Sequence, residues 1–206
     1  KYIDRPHLLN QKKYDLRIYV LIASFTPLRI YLYQNGLVRF ATEDYKISDF
    51  DNAFIHLTNY SINKYNSKYK SNQNLESQQS EYCATIEDKS IEGLEGEEDQ
   101  DINEIDDDSN KWSLVEYRNH FKKFGQEIIF ESIWTQIKNI AIKTVISVAK
   151  ENYKDISVNK MNSLFELYGF DILIDEKFRA WLIEVNVNPS LHCTSPLDLS
   201  IKTELI

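Results

Sequence analysis

Polar Lys13, Asp15 and Arg17 alternate with apolar residues at the start of a β-branched and aromatic run, residues 15–22, Asp-Leu-Arg-Ile-Tyr-Val-Leu-Ile, which predicts a β-strand. Residues 29–33, Arg-Ile-Tyr-Leu-Tyr, have the same β-branched and aromatic character, and Asn35-Gly36 then leads into Leu37-Val38-Arg39-Phe40. Asn-Gly between apolar runs is a strong hairpin signal, because both residues tolerate positive φ, so a turn is expected there. The period changes at Trp112. From there to about Tyr153 the pattern is helical: Ile133, Ile137, Ile140 and Val148 are spaced to share one face, and Gly125 is expected to divide two helices. Strand patterns return at 170–174 and 181–185 on either side of the polar turn 175–179, predicting a second hairpin that Asn188-Pro189 closes into a loop. Together these elements predict an α+β fold of antiparallel strands backed by helices.

Residues 64–110 interrupt this pattern. They are rich in Asn, Ser, Gln, Glu and Asp and poor in large apolar side chains, so they are expected to form a disordered acidic insertion between a first part, 1–63, and a last part, 111–206. The charge is split in the same way. The formal net charge is −8, but residues 81–108 hold thirteen acidic side chains against the single Lys89, and the remaining 23 basic and 19 acidic side chains sum to +4. A mildly basic body suits an acidic partner. No Lys/Arg cluster or basic helix points to nucleic acid.

With 206 residues, 42% hydrophobic and 13% aromatic, the chain can bury a core. No apolar run reaches eighteen residues and there is no basic-then-apolar start, so neither a membrane span nor a secretory signal is expected. Cys83 and Cys193 lie far apart and outside any C-x-x-C pattern, which fits a reducing compartment and makes cytoplasm the expected location. The chain opens at Lys1 and runs straight into ordered-looking sequence, so residues upstream are expected, and a monomer is expected.

The chemistry concentrates in two places. Glu184 and Asn186 lie two apart on a predicted strand and project from one face, and Asp171 on the neighbouring strand can reach the same point. Three oxygen ligands there suit Mg²⁺, which takes one or two carboxylates and completes its shell with phosphates and water. Polar positions on a solvent face would give the same spacing, but Asp171 and Glu184 sit inside apolar runs, where an unpaired carboxylate is costly. Lys13, Asp15 and Arg17 share a face of the first strand and Arg39 comes off its partner, which predicts a cation-rich floor suited to phosphates or an acyl phosphate. Cross-strand ion pairing is the competing account of those residues. The segment from His56 to Lys64, read by chemistry alone, is a capped loop. Among the five glycines no phosphate-binding loop is found, which excludes a P-loop or Rossmann site from this stretch.

The runs Lys13-Tyr14-Asp15-Leu16-Arg17-Ile18-Tyr19-Val20 and Ile30 to Ala41, with His56 to Lys64, Phe165 to Asp171 and Trp181 to Lys202, together resemble the tubulin tyrosine ligase-like family. The resemblance implies an ATP-grasp fold, in which ATP lies between two antiparallel sheets, a carboxylate is phosphorylated and an amine then attacks it. It implies that Lys1, Tyr2 and Ile3 form the hinge at adenine, and that Lys13, Asp15, Thr58 and Asn59 contact the nucleotide. Arg39, Tyr60, Ser61 and Lys111 resemble the positions that hold the incoming amino acid. Arg17 resembles the arginine near the transferred phosphate, so Arg17 and Arg39 are the expected catalytic residues. Asp171, Glu184 and Asn186 match the metal ligands.

The expected function is therefore ATP- and Mg²⁺-dependent addition of free L-glutamate to glutamate side chains of acidic tubulin tails in microtubules. Arg39 and Lys111 offer two cations to an amino acid with two carboxylates. The stretch from Val185 to Lys202 resembles the glutamylating branch rather than the tyrosine-adding one, and Val187 stands where chain-extending relatives tend to carry histidine, which implies branch initiation. Cytoplasm and cytoskeleton are the implied locations, with cilium or basal body among them. The resemblance does not reach the family's N-terminal domain or its phosphate-clamping, lysine-bearing sheet, so this stretch alone is expected to be inactive. A non-catalytic microtubule-binding descendant, a glycine or tyrosine ligase of the same family, and an ATP-grasp enzyme for a small-molecule carboxylate remain open alternatives.

Overall fold

The computed structural model describes residues 2–25, 27–69, 109–152 and 165–206. Two long strands, β2 (Lys12–Phe25) and β3 (Leu28–Asp44), form the centre of one antiparallel sheet. The short β1 (Leu8–Leu9) pairs with β2, and β4 (Lys111–Ser113), β5 (Glu166–Ile174) and β6 (Ala180–Val187) complete the order β4-β3-β2-β5-β6. The helices are α1 (Ala53–His56), α2 (Tyr60–Asn63), α3 (Leu114–Lys123), α4 (Glu127–Asn152) and α5 (Pro196–Leu205). No helix among the described residues is long and apolar enough to cross a membrane.

Alternation along β2 gives the sheet two unlike faces. Tyr14, Leu16, Ile18 and Val20 are buried on one face with Val38, Phe40, Trp112, Phe170, Ile172 and Ile174, and α3 and α4 cover them with Tyr117, Phe121, Phe130, Ile133 and Ile137. Each of the aliphatic and phenylalanine side chains among them contributes about 1.5–3 kcal/mol by leaving water. The other face carries Lys13, Asp15, Arg17 and Tyr19. At one end α5 covers it, packing Ile201 on Tyr19 and Leu37. Beside α5 the same face carries polar residues, where Lys13, Asp15, Asp171 and Glu184 line a cleft together with residues 56–59.

Three expectations about elements change. Asn35-Gly36 is not a turn: β3 runs through it, and Phe25 pairs with Leu28 at the true reversal. Between the pairs Ile18↔Gly36 and Val20↔Leu32 the strand β3 holds two extra residues, so Asn-Gly forms a bulge. Gly36 is required there by close approach, since a Cβ would lie 2.5 Å from the Arg17 carbonyl oxygen. The stretch from Trp112 does not begin as helix either. Lys111–Ser113 is a strand on β3, and α3 starts after it with a capping box, in which Ser113 Oγ accepts from Glu116 N–H at 3.0 Å and Glu116 returns the bond to Ser113 N–H. Gly125, at φ +67, ends α3 as expected. Finally, α4 buries Ile133, Ile137, Ala141 and Val145, while Val148 is 44% exposed and lies off that face. Of the expected insertion, residues 70–108 lie outside the described residues; at its end Asn110 is buried, and its carbonyl accepts from Phe40 N–H at 3.0 Å.

Candidate active site on the open sheet face

Cross-strand register places the chemistry. Arg39 lies opposite both Asp15 and Lys111, and Asp171 opposite both Arg17 and Glu184, so two half-rows, offset by two residues on β2, meet in the middle of the sheet. Arg17 grips Asp171 through both oxygens, Nε to Oδ1 at 2.5 Å and Nη2 to Oδ2 at 3.0 Å. Arg39 does the same to Asp15, with Nε to Oδ1 at 2.8 Å and Nη2 on Oδ2, and its Nη2 also reaches Asp171 Oδ2 at 2.9 Å. The expected cation-rich floor is thus a charge-balanced lattice of two arginines and two aspartates, because register puts opposite charges face to face. Burial pushes the Asp171 carboxyl up, but Arg17 and Arg39 outweigh it and hold the group below the ordinary carboxylate range. Burial opposes the Arg39 charge, yet Asp15 and Asp171 raise its pKa further.

Gly169 leaves room for this geometry. A Cβ there would meet Arg17 Cδ and Pro189 Cβ, each at 3.1 Å, so a larger residue would force the arginine or the proline to give by a few tenths of an ångström.

Beside the lattice a cleft of ≈410 Å³ is lined by Tyr2, Ile3, Lys13, Asp15, His56, Thr58, Asn59, Asp171 and Glu184, among others. It brings together every expected nucleotide contact except Lys1, which lies outside the described residues. His56 Nε2 faces the Asp49 carbonyl at 2.7 Å, which can only accept, so in neutral His56 the proton is on Nε2 and Nδ1 accepts from the Tyr2 hydroxyl at 2.8 Å. Lys13 Nζ in turn stands 3.5 Å from that hydroxyl and 4.9 Å from the ring centre. Burial lowers the Lys13 pKa, and Asp15 partly restores it.

The loop carrying Thr58 and Asn59 is fixed by a residue that sequence reasoning passed over. Asn63 is 1% exposed, donates to the Leu57 and Asn59 carbonyls at 2.8 and 3.1 Å, and accepts from Thr42 N–H at 3.1 Å. The one signal for it was its place at the end of an Asn/Ser/Thr-rich run.

The amino-acid set is brought together in part. Lys111 lies beside Arg39, and its Nζ is 5.1 Å from the Tyr60 ring centre, whereas Ser61 is exposed on α2. Nor is Lys111 a free cation: it donates to Asp198 Oδ2 at 2.8 Å and to Thr194 Oγ1 at 3.0 Å. Burial raises the Asp198 carboxyl, and the Lys111 charge with the Thr194 bonds brings it below its ordinary value. Asp198 is 87 residues from Lys111 in sequence, and nothing local marked the pair.

Among the described residues no three His, Cys, Asp or Glu side chains form a metal cluster. Asp171, Glu184 and Asn186 nonetheless give two carboxylates and an amide, with Asn186 Nδ2 donating to Glu184 Oε1 at 3.0 Å. An all-oxygen set of this kind fits a hard cation such as Mg²⁺ that takes further ligands from a phosphate.

The β5–β6 turn that holds this set has an organiser the sequence did not single out. Asp175 Oδ1 accepts from Lys177 and Arg179 N–H at 2.8 and 3.0 Å, and Oδ2 accepts from Arg179 Nε and Trp181 Nε1 at 2.8 and 3.0 Å.

Fold and site together describe an antiparallel α+β domain with fixed guanidinium donors, oxygen ligands and an adjoining cleft on one sheet face. A family model described as the tubulin-tyrosine ligase family matches residues 1–105 and 89–206. The chain is 38% identical over its full length to the tubulin monoglutamylase TTLL4 of Mus musculus and to the tubulin polyglutamylase TTLL5 of Homo sapiens. It is 36% identical over its full length to the probable alpha-tubulin polyglutamylase Ttll1 of Tetrahymena thermophila. The chain spans 15%, 14% and 40% of the length of these three relatives. It belongs to the tubulin-tyrosine ligase family.

Proposed function

We propose that this chain is part of the catalytic core of an ATP- and Mg²⁺-dependent ligase with an ATP-grasp fold, which adds free glutamate to glutamate side chains of acidic tubulin tails. The observation that carries the reading is the cleft of Tyr2, Lys13, Thr58 and Asn59 opening directly on the Arg17–Asp171–Arg39–Asp15 lattice. The glutamylase relatives support glutamate as the amino acid and tubulin as the acceptor.

In this reading the cleft holds ATP, with Tyr2 and Ile3 at the base and Lys13 toward the phosphates. Asp171, Glu184 and Asn186 hold Mg²⁺, which when bound neutralises phosphate charge. Arg17 and Arg39, each fixed by an aspartate, keep guanidinium N–H groups oriented toward the charge that develops as the acceptor carboxylate becomes an acyl phosphate, and no reorganisation is needed at that moment. The α-amine of glutamate, held by Arg39, Tyr60, Ser61 and Lys111, attacks the acyl carbon; an amide forms and phosphate leaves. Val187, 64% exposed at the end of β6, gives the acceptor an apolar wall that favours a side-chain carboxylate on the tail over the end of an existing branch. A monomer working in the cytoplasm on the microtubule cytoskeleton, including cilia or basal bodies, fits this substrate.

The test is the full-length protein with purified tubulin and radiolabelled glutamate, glycine or tyrosine. Glutamate incorporation that requires both ATP and Mg²⁺ is expected, with mass spectrometry showing new branches on unmodified tail peptides. Incorporation of glycine or tyrosine alone, or ligation without ATP, would overturn the reading; extension only of tails already branched would overturn initiation.

A further inference from the structure

Lysine is a poor tool for placing a small substrate, because its charge sits on a long stem that samples many rotamers. Lys111 escapes this. Its Nζ is held by Asp198 Oδ2 at 2.8 Å and Thr194 Oγ1 at 3.0 Å against the Tyr60 ring, and its side chain is 11% exposed. The bracket is itself fixed. Asp198 N–H donates to Ser195 Oγ at 3.1 Å in the first turn of α5, and Thr194 donates to Asp198 Oδ2 from its N–H at 3.0 Å and its hydroxyl at 2.6 Å. One turn further on, Lys202 Nζ donates to the His192 carbonyl at 2.5 Å and ties down the loop that follows the β6 ligands.

The bonding is lopsided. Three donors converge on Asp198 Oδ2, on the Lys111 side, while the buried Oδ1 has no partner among the described residues. A buried ion pair kept only for stability gains from satisfying both oxygens, and an apolar pair of the same size would serve at least as well. This one spends its bonding on aiming the ammonium. Among the described residues two of the three Lys111 N–H donors are used, so one is left for a ligand.

We propose that Asp198, with Thr194, is a positioning residue: it fixes the Lys111 ammonium so that its remaining N–H meets a carboxylate of the incoming amino acid beside Arg39. This rests on the ligase reading above and deepens it, by making α5 part of the amino-acid site.

The experiment uses the full-length protein and an acidic tail peptide, varying glutamate and ATP separately. Asp198→Asn and Thr194→Val are expected to raise the KM for glutamate about tenfold and twofold to fivefold, with the KM for ATP within twofold of wild type. In a Lys111→Ala background Asp198→Asn should add nothing, because both changes remove one interaction. Equal rises in both KM values, or effects that add, would mean a merely structural role and overturn the proposal. Thr194→Val keeps the test alive should Asp198→Asn fail to fold. Acetic anhydride labelling read by mass spectrometry is independent of ligation: Lys111 should react at least threefold faster in Asp198→Asn, and unchanged labelling overturns the proposal. Wild-type protein that ligates no glutamate would instead overturn the ligase reading and leave the labelling to decide.

Discussion

Replacing Asp175 with asparagine should loosen the β5–β6 hairpin that carries the oxygen ligands, and the loss should fade in acid. The Asp175 carboxyl accepts from Lys177 N–H, Arg179 N–H, Arg179 Nε and Trp181 Nε1, and its side chain is 6% exposed. Burial alone would raise its pKa; the Arg179 and Lys177 N–H groups, the indole and the guanidinium outweigh burial and bring it from 3.8 down to about 2. At about 1.36 kcal/mol per unit that shift is worth roughly 2 kcal/mol. The Arg179 side chain is 59% exposed, so water screens its share, and about 1–2 kcal/mol is the better figure. Asparagine keeps one oxygen for the two backbone donors but offers none to Arg179 Nε and Trp181 Nε1, whose bonds to the carboxylate are already part of that figure. A loss of about 1–2 kcal/mol should lower protection of residues 166–187 against hydrogen exchange about 5- to 30-fold at pH 7, measured by mass spectrometry on the full-length protein. The sign follows from a folded pKa below the unfolded one: the carboxylate's contribution is present above about pH 4 and lost as pH falls toward 2. Thermal melts of variant and wild type should therefore converge between pH 4 and 2. Equal protection at pH 7, or a gap that widens on acidification, would refute this account of the turn.

Gly169→Ala should cost ligation about 10- to 100-fold in kcat/KM, because the new methyl group, 3.1 Å from Arg17 Cδ, pushes the guanidinium off Asp171; wild-type turnover would mean that the arginine's pose is unimportant. Glu184→Gln should abolish ligation and leave the melting temperature within about 2 °C, since Glu184 is exposed; retained activity at ordinary Mg²⁺ would remove it from the metal set. Asp171→Asn, by contrast, should also destabilise the fold by about 3 kcal/mol or more, because it leaves Arg17 and Arg39 short of a buried counter-charge; a variant that melts with wild type would show the lattice to be dispensable. His56→Phe should raise the KM for ATP about five- to tenfold with the glutamate KM unchanged, since it removes the acceptor that orients Tyr2 beside Lys13; the reverse pattern would detach that chain from the nucleotide.

The face-sharing of Lys13, Asp15 and Arg17 was legible because a strand buried on one side must alternate, and the same rule put Glu184 with Asn186. What alternation cannot say is which strand lies alongside. The pairing Arg17↔Asp171 joins residues 154 apart, and it turned an expected row of cations into a neutral lattice. Lys111 and Asp198 met for the same reason, through a helix folded back on the far end of the sheet. Asn35-Gly36 misled at the local level: its permissive backbone serves a bulge as well as a turn, and only packing against Arg17 decides between them. Trp112 falls in with the helical pattern because strands of three residues are too short to show a period, although the Ser-x-x-Glu box at 113–116 marks where the helix starts. Asp175 and Asn63 look like ordinary turn residues in sequence, and their weight comes from bonds that converge only in the folded chain, four on Asp175 and, with the Thr42 hydroxyl, four on Asn63.

The bulge at Asn35 also bears on how the protein ages. Asn-Gly is the sequence most prone to deamidate, since the glycine nitrogen attacks the asparagine side-chain carbonyl to close a succinimide. Here Gly36 N–H donates to Asn35 Oδ1 at 2.9 Å, and Leu114 N–H donates to the same oxygen at 3.2 Å. Both bonds hold the carboxamide in a strand-like pose in which that nitrogen is committed as a hydrogen-bond donor. Ring closure also needs the backbone at Asn35 to leave the extended strand pose, so the isoaspartate found at position 35 by peptide mapping of aged protein reports how firmly β3 and the start of α3 hold it there.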